Sequence, residues 1–218
     1  MKNMALTLAF ALACGTAYGQ SYATMWKTFD KSIEKALPKT ALQHSQAIYA
    51  KASAENNTGQ MLKAALVTLQ LNGTISPDSG DVYLARFDSM AKREERPVVK
   101  AMMNLALARL HADRQRYDDP AEGDMALACY AAATADLNIF EGHKTSEFIP
   151  ATVIKNDSRY FGHDLLAFVC REAVLGIANV NYSSTDADSV AGMRRNLSHR
   201  FIEHYRAAGN GNAVVLAT

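Results

Sequence analysis

Apolar residues recur every three or four positions along almost the whole chain, and this spacing limits the possible folds more than any other feature. One helix face is formed by Tyr22, Trp26, Phe29, Ile33 and Leu37. Similar faces continue as far as Tyr205, and no stretch of six residues alternates cleanly as a half-buried strand does. Short exceptions lie at residues 153–154 and 180–182. The sequence therefore predicts an all-α fold.

Helix-breaking and helix-capping residues divide this pattern into about eight helices. Proline begins several of them, because it tolerates the first helical turn and interrupts a helix that precedes it. Glycine and asparagine mark several of the ends. The expected helices cover about residues 22–37, 38–55, 61–72, 77–91, 97 onward, 120–136, 160–178 and 187–208.

After a leader at residues 1–19, the chain divides into two helical regions. Residues 20–115 are expected to form antiparallel helical hairpins of about 35–40 residues each, similar to tetratricopeptide repeats or another α-solenoid. Alanine in the second helix would let neighbouring helices approach closely, although no glycine follows Trp26 where that consensus has one. Residues 116–218 are expected to form a second helical region.

The first 19 residues resemble a bacterial export signal. Lys2 supplies a positive start, an uncharged apolar run follows, and small residues at Ala17 and Gly19 favour cleavage before Gln20. Cys14 offers an alternative, as a lipid-anchored first residue, and an uncleaved N-terminal helix is a third reading. The run is too short to span a bilayer, and no later window is long enough without charges. We expect an exported protein without a transmembrane segment.

Charge and cysteine content limit the function classes further. The chain has 23 Lys and Arg against 22 Asp and Glu, so bulk electrostatics does not favour nucleic-acid binding. Cys129 and Cys170 lie in apolar helical runs, where they could be core thiols or, in an exported chain, a disulfide. No CxxC motif indicates a redox or zinc site.

Three groups of polar residues are candidates for chemistry, and the first two contain histidine. His199 and His204 flank Glu203 on the last helix, but histidines five positions apart lie about 140° apart around a helix, and a zinc pair needs one face. His163 and Asp164 begin the seventh helix, where an aspartate is expected as an N-cap. We therefore expect no catalytic, cofactor-binding or metal-binding residue, no cofactor, and no enzyme activity.

A third group is the basic cluster of Arg194, Arg195 and Arg200. Asp186, Asp188 and Glu203 offset its charge, so it is expected to be a solvated surface.

Three stretches in order carry a resemblance to a known family. They are the segments at residues 21–26 with 37–42 and 48–52, at 155–166, and at 204–210. Following a signal peptide, they resemble the N-terminal helical region of large bacterial alpha-2-macroglobulin-like proteins of the Gram-negative envelope. The resemblance covers most of residues 20–218 and depends on the ordered set of segments.

The resemblance implies a protease inhibitor with many macroglobulin-type β-sandwich domains, located in the periplasm or at the outer membrane. Many members form a reactive thioester from a CxEQ motif, but here Cys129 is followed by Tyr-Ala-Ala and Cys170 by Arg-Glu-Ala. The family's functional centre is therefore not transferred to any residue of this chain. The expected role is a non-catalytic module that packs on, or docks with, downstream macroglobulin domains, proteases or envelope proteins.

Two further readings remain open. A stand-alone tetratricopeptide-like lipoprotein, anchored at Cys14 and binding nutrients or envelope partners, is the main alternative. A secreted enzyme is the third. The apolar segment at residues 213–218 begins without a polar closing face, so we expect the chain to be the N-terminal part of a longer protein.

Overall fold

A computed structural model describes residues 20–76, 80–115, 120–152 and 163–211. Over these ranges the chain is helical and has no β-strand, apart from an isolated bridge between Lys144 and Asp164. Short 3-10 helices lie at Leu137–Phe140 and Thr145–Phe148. The eight α-helices are α1 (Tyr22–Glu34), α2 (Pro38–Ala54), α3 (Thr58–Ile75), α4 (Gly80–Arg93), α5 (Pro97–Arg114), α6 (Ala121–Ala133), α7 (Leu165–Ala178) and α8 (Ala187–Ala207).

The all-α prediction and the number of helices are confirmed, and the boundaries differ in places where side chains bond the backbone. Helix α3 continues past the predicted stop at residues 72–73, because the buried Asn72 amide donates to the Thr68 carbonyl within the helix. Helix α6 ends at Ala133, short of the predicted 136. Helix α7 begins at Leu165, later than the predicted 160, because Asp164 caps it.

Helix α1 differs from the prediction at its end. It stops at Glu34, and Ala36 then has a φ of 54°, so the chain turns before Leu37. Ile33 and Leu37, predicted on the apolar face, are exposed, whereas Ser32 is buried. The predicted leader, Pro77, Asp119 and the segment at 213–218 lie outside the described residues.

The first compact unit contains the described residues up to Phe87, together with Phe148–Thr152. Helix α2 packs between α1 and α3. The Tyr22 hydroxyl donates to Glu55, so the start of α1 lies beside the end of α2 and the two packed helices are antiparallel. The core of α1–α3 contains Met25, Trp26, Phe29, Ala41, Ile48, Ala64 and Leu71.

The second unit contains the described residues of Asp88–Glu147 and Val153–Thr218. Helix α5 packs against α6, α7 against α8, and α5 and α6 each contact α7. The Tyr130 side chain fills the space left by Gly176, where a Cβ atom would lie 1.9 Å from the Tyr130 hydroxyl. The largest fully buried side chains here are Tyr130, Phe140, Met103, Leu107, Leu165, Leu166 and Ile177.

No helix in the described part of the chain is long and apolar enough to cross a bilayer.

Candidate functional site

Two of the sequence candidates, Asp164 and His204, meet where the start of α7 contacts the end of α8. His204 Nε2 lies 3.2 Å from Asp164 Oδ2. The other carboxylate oxygen of Asp164 accepts from the Ala167 amide at 2.9 Å, as the predicted N-cap should. Both side chains are about three-quarters buried. The structure thus joins residues that the sequence analysis had placed in separate motifs.

The segment of residues 143–145 holds the backbone of Asp164 in place. The Thr145 amide donates to the His163 carbonyl at 2.8 Å, and the Leu165 amide donates to the His143 carbonyl at 3.0 Å. These two bonds run on either side of Asp164 and fix its backbone. The Asp164 carboxylate bonds both the α7 backbone and the α8 imidazole. Asp164 therefore lies where residues 143–145, α7 and α8 meet.

A second imidazole–carboxylate pair lies in the same segment. His143 Nδ1 is 2.8 Å from Glu147 Oε2, and the Lys144 amide donates to the other oxygen of Glu147. The hydrogen bond from His143, followed by that from the Lys144 amide, lowers the pKa of Glu147. Both bonds therefore favour the charged carboxylate and stabilise the turn.

The groups around Asp164 and His204 are those expected in a packed junction. Burial, with a smaller contribution from the Asp164 charge, raises the pKa of Tyr205, whose ring lies 5.4 Å from that of His204. Asp164 and His204 each contribute to a contact within or between helices. Their geometry supports capping and joining of helices.

We predict that Asp164→Ala lowers the free energy of unfolding by about 1–2 kcal/mol, because the α7 cap and the pair with His204 are both lost. Asp164→Asn is the matched variant, since its amide oxygen can still cap the helix, and it should cost less than half as much. Urea unfolding followed by circular dichroism measures both changes. Equal losses would show that capping contributes little.

The side chains of His199, Glu203 and His204 do not converge on a common site. His199 Nδ1 lies 3.3 Å from Glu203, while His204 turns away toward Asp164. No cluster of three or more potential metal ligands occurs in the part of the chain that the structure describes.

The three arginines of the basic cluster lie in different environments. Arg200 binds Asn138 at 2.8 Å and pairs with Glu141, so it ties α8 to the segment after α6. Arg194 and Arg195 are exposed.

In the described part of the chain, Cys129 and Cys170 are free thiols. Burial raises the pKa of Cys129 to about 11 and that of Cys170 to about 12. The thiolate is the reactive form, so both thiols are expected to react slowly at neutral pH.

We predict that maleimide labels Cys129 before Cys170 in the folded chain, because Cys129 is half-buried and Cys170 is fully buried. The rate at Cys129 should rise about tenfold per pH unit below pH 11, as the thiolate fraction does. Peptide mass spectrometry in a Cys14→Ala background measures the rates. Equal labelling of the two thiols would contradict the described burial.

One polar network around a buried histidine could not be predicted from the sequence. His111, only 6% exposed on α5, places Nδ1 2.5 Å from Glu122 on α6, and Arg114 binds the other oxygen of Glu122 at 3.1 Å. The residues are eight and eleven positions apart across a break, so helical periodicity could not predict the contact.

A second polar network could be predicted in part from the sequence. Lys51 and Glu55 are four apart on α2, the spacing of a helical ion pair, and Nζ lies 2.5 Å from Oε1. The additional bond from Tyr22 to Glu55 required the α1–α2 packing to be known.

No family model, curated protein sequence or solved structure matches the chain.

Proposed function

We propose that this chain is the non-catalytic N-terminal helical module of an exported alpha-2-macroglobulin-like protease inhibitor. It works by packing on downstream macroglobulin domains, or by docking with proteases or envelope proteins. The proposal combines the ordered resemblance of the sequence with the helical-hairpin arrangement of α1–α3.

The hairpin arrangement is the observation that carries the binding role. Helix α1 is antiparallel to α2, and Trp26 near the start of α1 donates to Gln60 near the start of α3 at 2.6 Å. Helix α3 begins 36 residues after α1. That offset is close to the 34-residue period of tetratricopeptide repeats.

Fully buried alanines support the same reading. Ala41, Ala52 and Ala64 have no exposed surface, so neighbouring helices can approach closely along α2 and α3. Small residues at such positions are characteristic of stacked helical hairpins, which bind partners through extended surfaces. We place this chain among such hairpin arrays, in which contact between proteins is the function.

The N-terminus of the protein isolated from its native source tests export and separates the main alternatives. Intact-mass and peptide mass spectrometry should find a chain that begins at Gln20. An acylated Cys14 would favour the stand-alone, lipid-anchored binding protein. Retention of Met1 would contradict cleavage of the leader and favour the uncleaved N-terminal helix.

A further inference from the structure

Two large apolar side chains lie exposed where α1 ends and α2 begins, in residues 31–39, which we call the α1–α2 turn. Ile33 is 46% exposed and Leu37 is 47% exposed. The Leu37 amide donates to the Ser32 carbonyl at 2.9 Å and the Ala36 amide to the Ile33 carbonyl at 2.9 Å, the Schellman pattern that closes a helix end. An apolar residue at the position of Leu37 commonly packs back on the helix, but the residue there is the polar Ser32. The backbone of the turn is therefore fixed while both apolar side chains face outward.

A second turn in the same unit closes a helix in the same way with polar side chains. After α2 the chain turns through Asn56, whose φ is 53° against 54° in the first turn, and it makes the two equivalent backbone bonds. The places of Ile33 and Leu37 are taken there by Ser53 and Asn57. Closing such a turn thus needs no apolar side chain. Adjacent exposed apolar side chains that the fold does not need are expected to contact another surface.

Exposed lysines surround these two apolar side chains. Residues 27–39 contain four lysines against Asp30 and Glu34, so their net charge is +2. All four lysines are exposed. The second turn differs again, because its Lys51 is buried and lies 2.5 Å from Glu55. Apolar side chains and excess positive charge therefore occur together at the α1–α2 turn and are both missing from its counterpart.

The neighbouring end of α3 adds no charge. Trp26 bonds Gln60, so α1 and α3 begin side by side, and both helices pack on α2. The last turn of α3 therefore lies at the same end as the α1–α2 turn, and residues 64–76 contain no charged side chain. Among α1–α3, the lysines of residues 27–39 determine the sign of the charge at this end.

Apolar side chains surrounded by lysines match the chemistry of an anionic lipid surface. The apolar side chains enter the boundary between headgroups and acyl chains, and the ammonium groups remain at the headgroup phosphates. The type of cation separates lipid from an acidic protein partner. Lysine is a point charge suited to a diffuse negative surface, whereas the planar guanidinium of arginine is preferred for carboxylates at protein interfaces. The first arginine of the chain is Arg86, so the whole basic region is built from lysine.

We infer that the α1–α2 turn binds an anionic lipid surface, with Ile33 and Leu37 inserted at the acyl boundary and Lys35 and Lys39 at the headgroups. The contact is peripheral and reversible, because two side chains bury much less apolar surface than a lipid anchor does. The inference depends on the α1–α2 turn alone and not on the proposed protease-inhibitor family.

Sedimentation with lipid vesicles tests this inference. The probe is the expected mature chain from Gln20 onward, because the apolar leader would bind lipid by itself. Vesicles of phosphatidylcholine with an equal amount of phosphatidylglycerol should bind the chain about tenfold more strongly than vesicles of phosphatidylcholine alone. Raising the salt concentration to about 0.5 M should remove most of this difference by screening the lysines.

Two kinds of variant assign the binding to the turn. Leu37→Ser should weaken binding to the anionic vesicles about tenfold by removing an inserted side chain. Leu175→Ser is the matched control, because it makes the same change at a leucine that is 50% exposed on α7, and it should bind like the unchanged chain. Lys35→Gln combined with Lys39→Gln should weaken binding about tenfold, whereas arginine at both positions should retain it. Circular dichroism verifies that each variant is folded.

Three results would overturn the inference. One is an absence of binding to anionic vesicles, and another is equal binding to neutral and anionic vesicles. The third is an equal loss in Leu37→Ser and Leu175→Ser. A poly-glutamate peptide distinguishes the other class of partner: if it binds the chain through Leu37 while the vesicles do not, the α1–α2 turn recognises an acidic protein and not a lipid surface.

Discussion

Gly123→Ala should lower the free energy of unfolding by about 2–4 kcal/mol. A Cβ atom on Gly123 would lie 1.6 Å from the Asn181 carbonyl oxygen and 2.7 Å from its carbon. These are backbone atoms, so a rotamer change cannot relieve the overlap. Gln115 fixes them further, since its side chain accepts from the Asn181 amide at 2.7 Å and donates to the Asn179 carbonyl at 2.8 Å.

Gly73→Ala is the matched control, because it makes the same chemical change in the interior of α3. No atom lies within 4 Å of a Cβ built on Gly73. Alanine has the higher helix propensity, so this variant should gain about 0.5–1 kcal/mol. Urea unfolding of both variants gives the difference. A loss at Gly123 below about 0.5 kcal/mol would show that the segment after α7 is not held against α6.

Trp26→Ala should lower the free energy of unfolding by about 3–5 kcal/mol, as expected for removal of a buried indole. The ring stands edge-on to Phe29 at 5.3 Å, and its N–H donates to Gln60. Lys63 Nζ lies 4.1 Å from the ring centroid. The substitution removes all three contacts from the core shared by α1 and α3.

Two variants separate these contributions, with unfolding followed by circular dichroism. Trp26→Phe retains a ring but leaves Gln60 without its donor, and it should cost less than the alanine variant. Ile33→Ala, a truncation of an exposed side chain on the same helix, should change stability by less than 1 kcal/mol. A Trp26→Ala loss as small as the Ile33→Ala change would contradict the described core.

The helical fold could be predicted from the sequence because it depends on local properties. The three- and four-residue spacing of Trp26 and Phe29 predicts the buried side of α1, and aspartate at the start of a helix predicts the Asp164 cap. Local spacing wrongly predicts that Ile33 is buried, because burial at that position depends on where the helix ends and on which residues lie opposite it.

Contacts between distant segments could not be predicted in the same way. Asp164 and His204 are forty positions apart, and their contact follows from the packing of α7 on α8. The same holds for Gly123 against Asn181: a single glycine in an apolar helix gives no indication of the backbone that approaches it. The exposed side of α6 illustrates the converse, since its uniformly apolar sequence would normally predict complete burial.

The size and composition of the native polypeptide test the central proposal most directly. Antibodies raised against residues 20–211 would isolate it from the cell envelope for mass spectrometry. We predict a chain many times larger than 23.7 kDa, whose further peptides belong to macroglobulin-type β-sandwich domains. A native protein that contains only these helices, with the mass of the 218-residue chain or its processed form, would contradict the proposal.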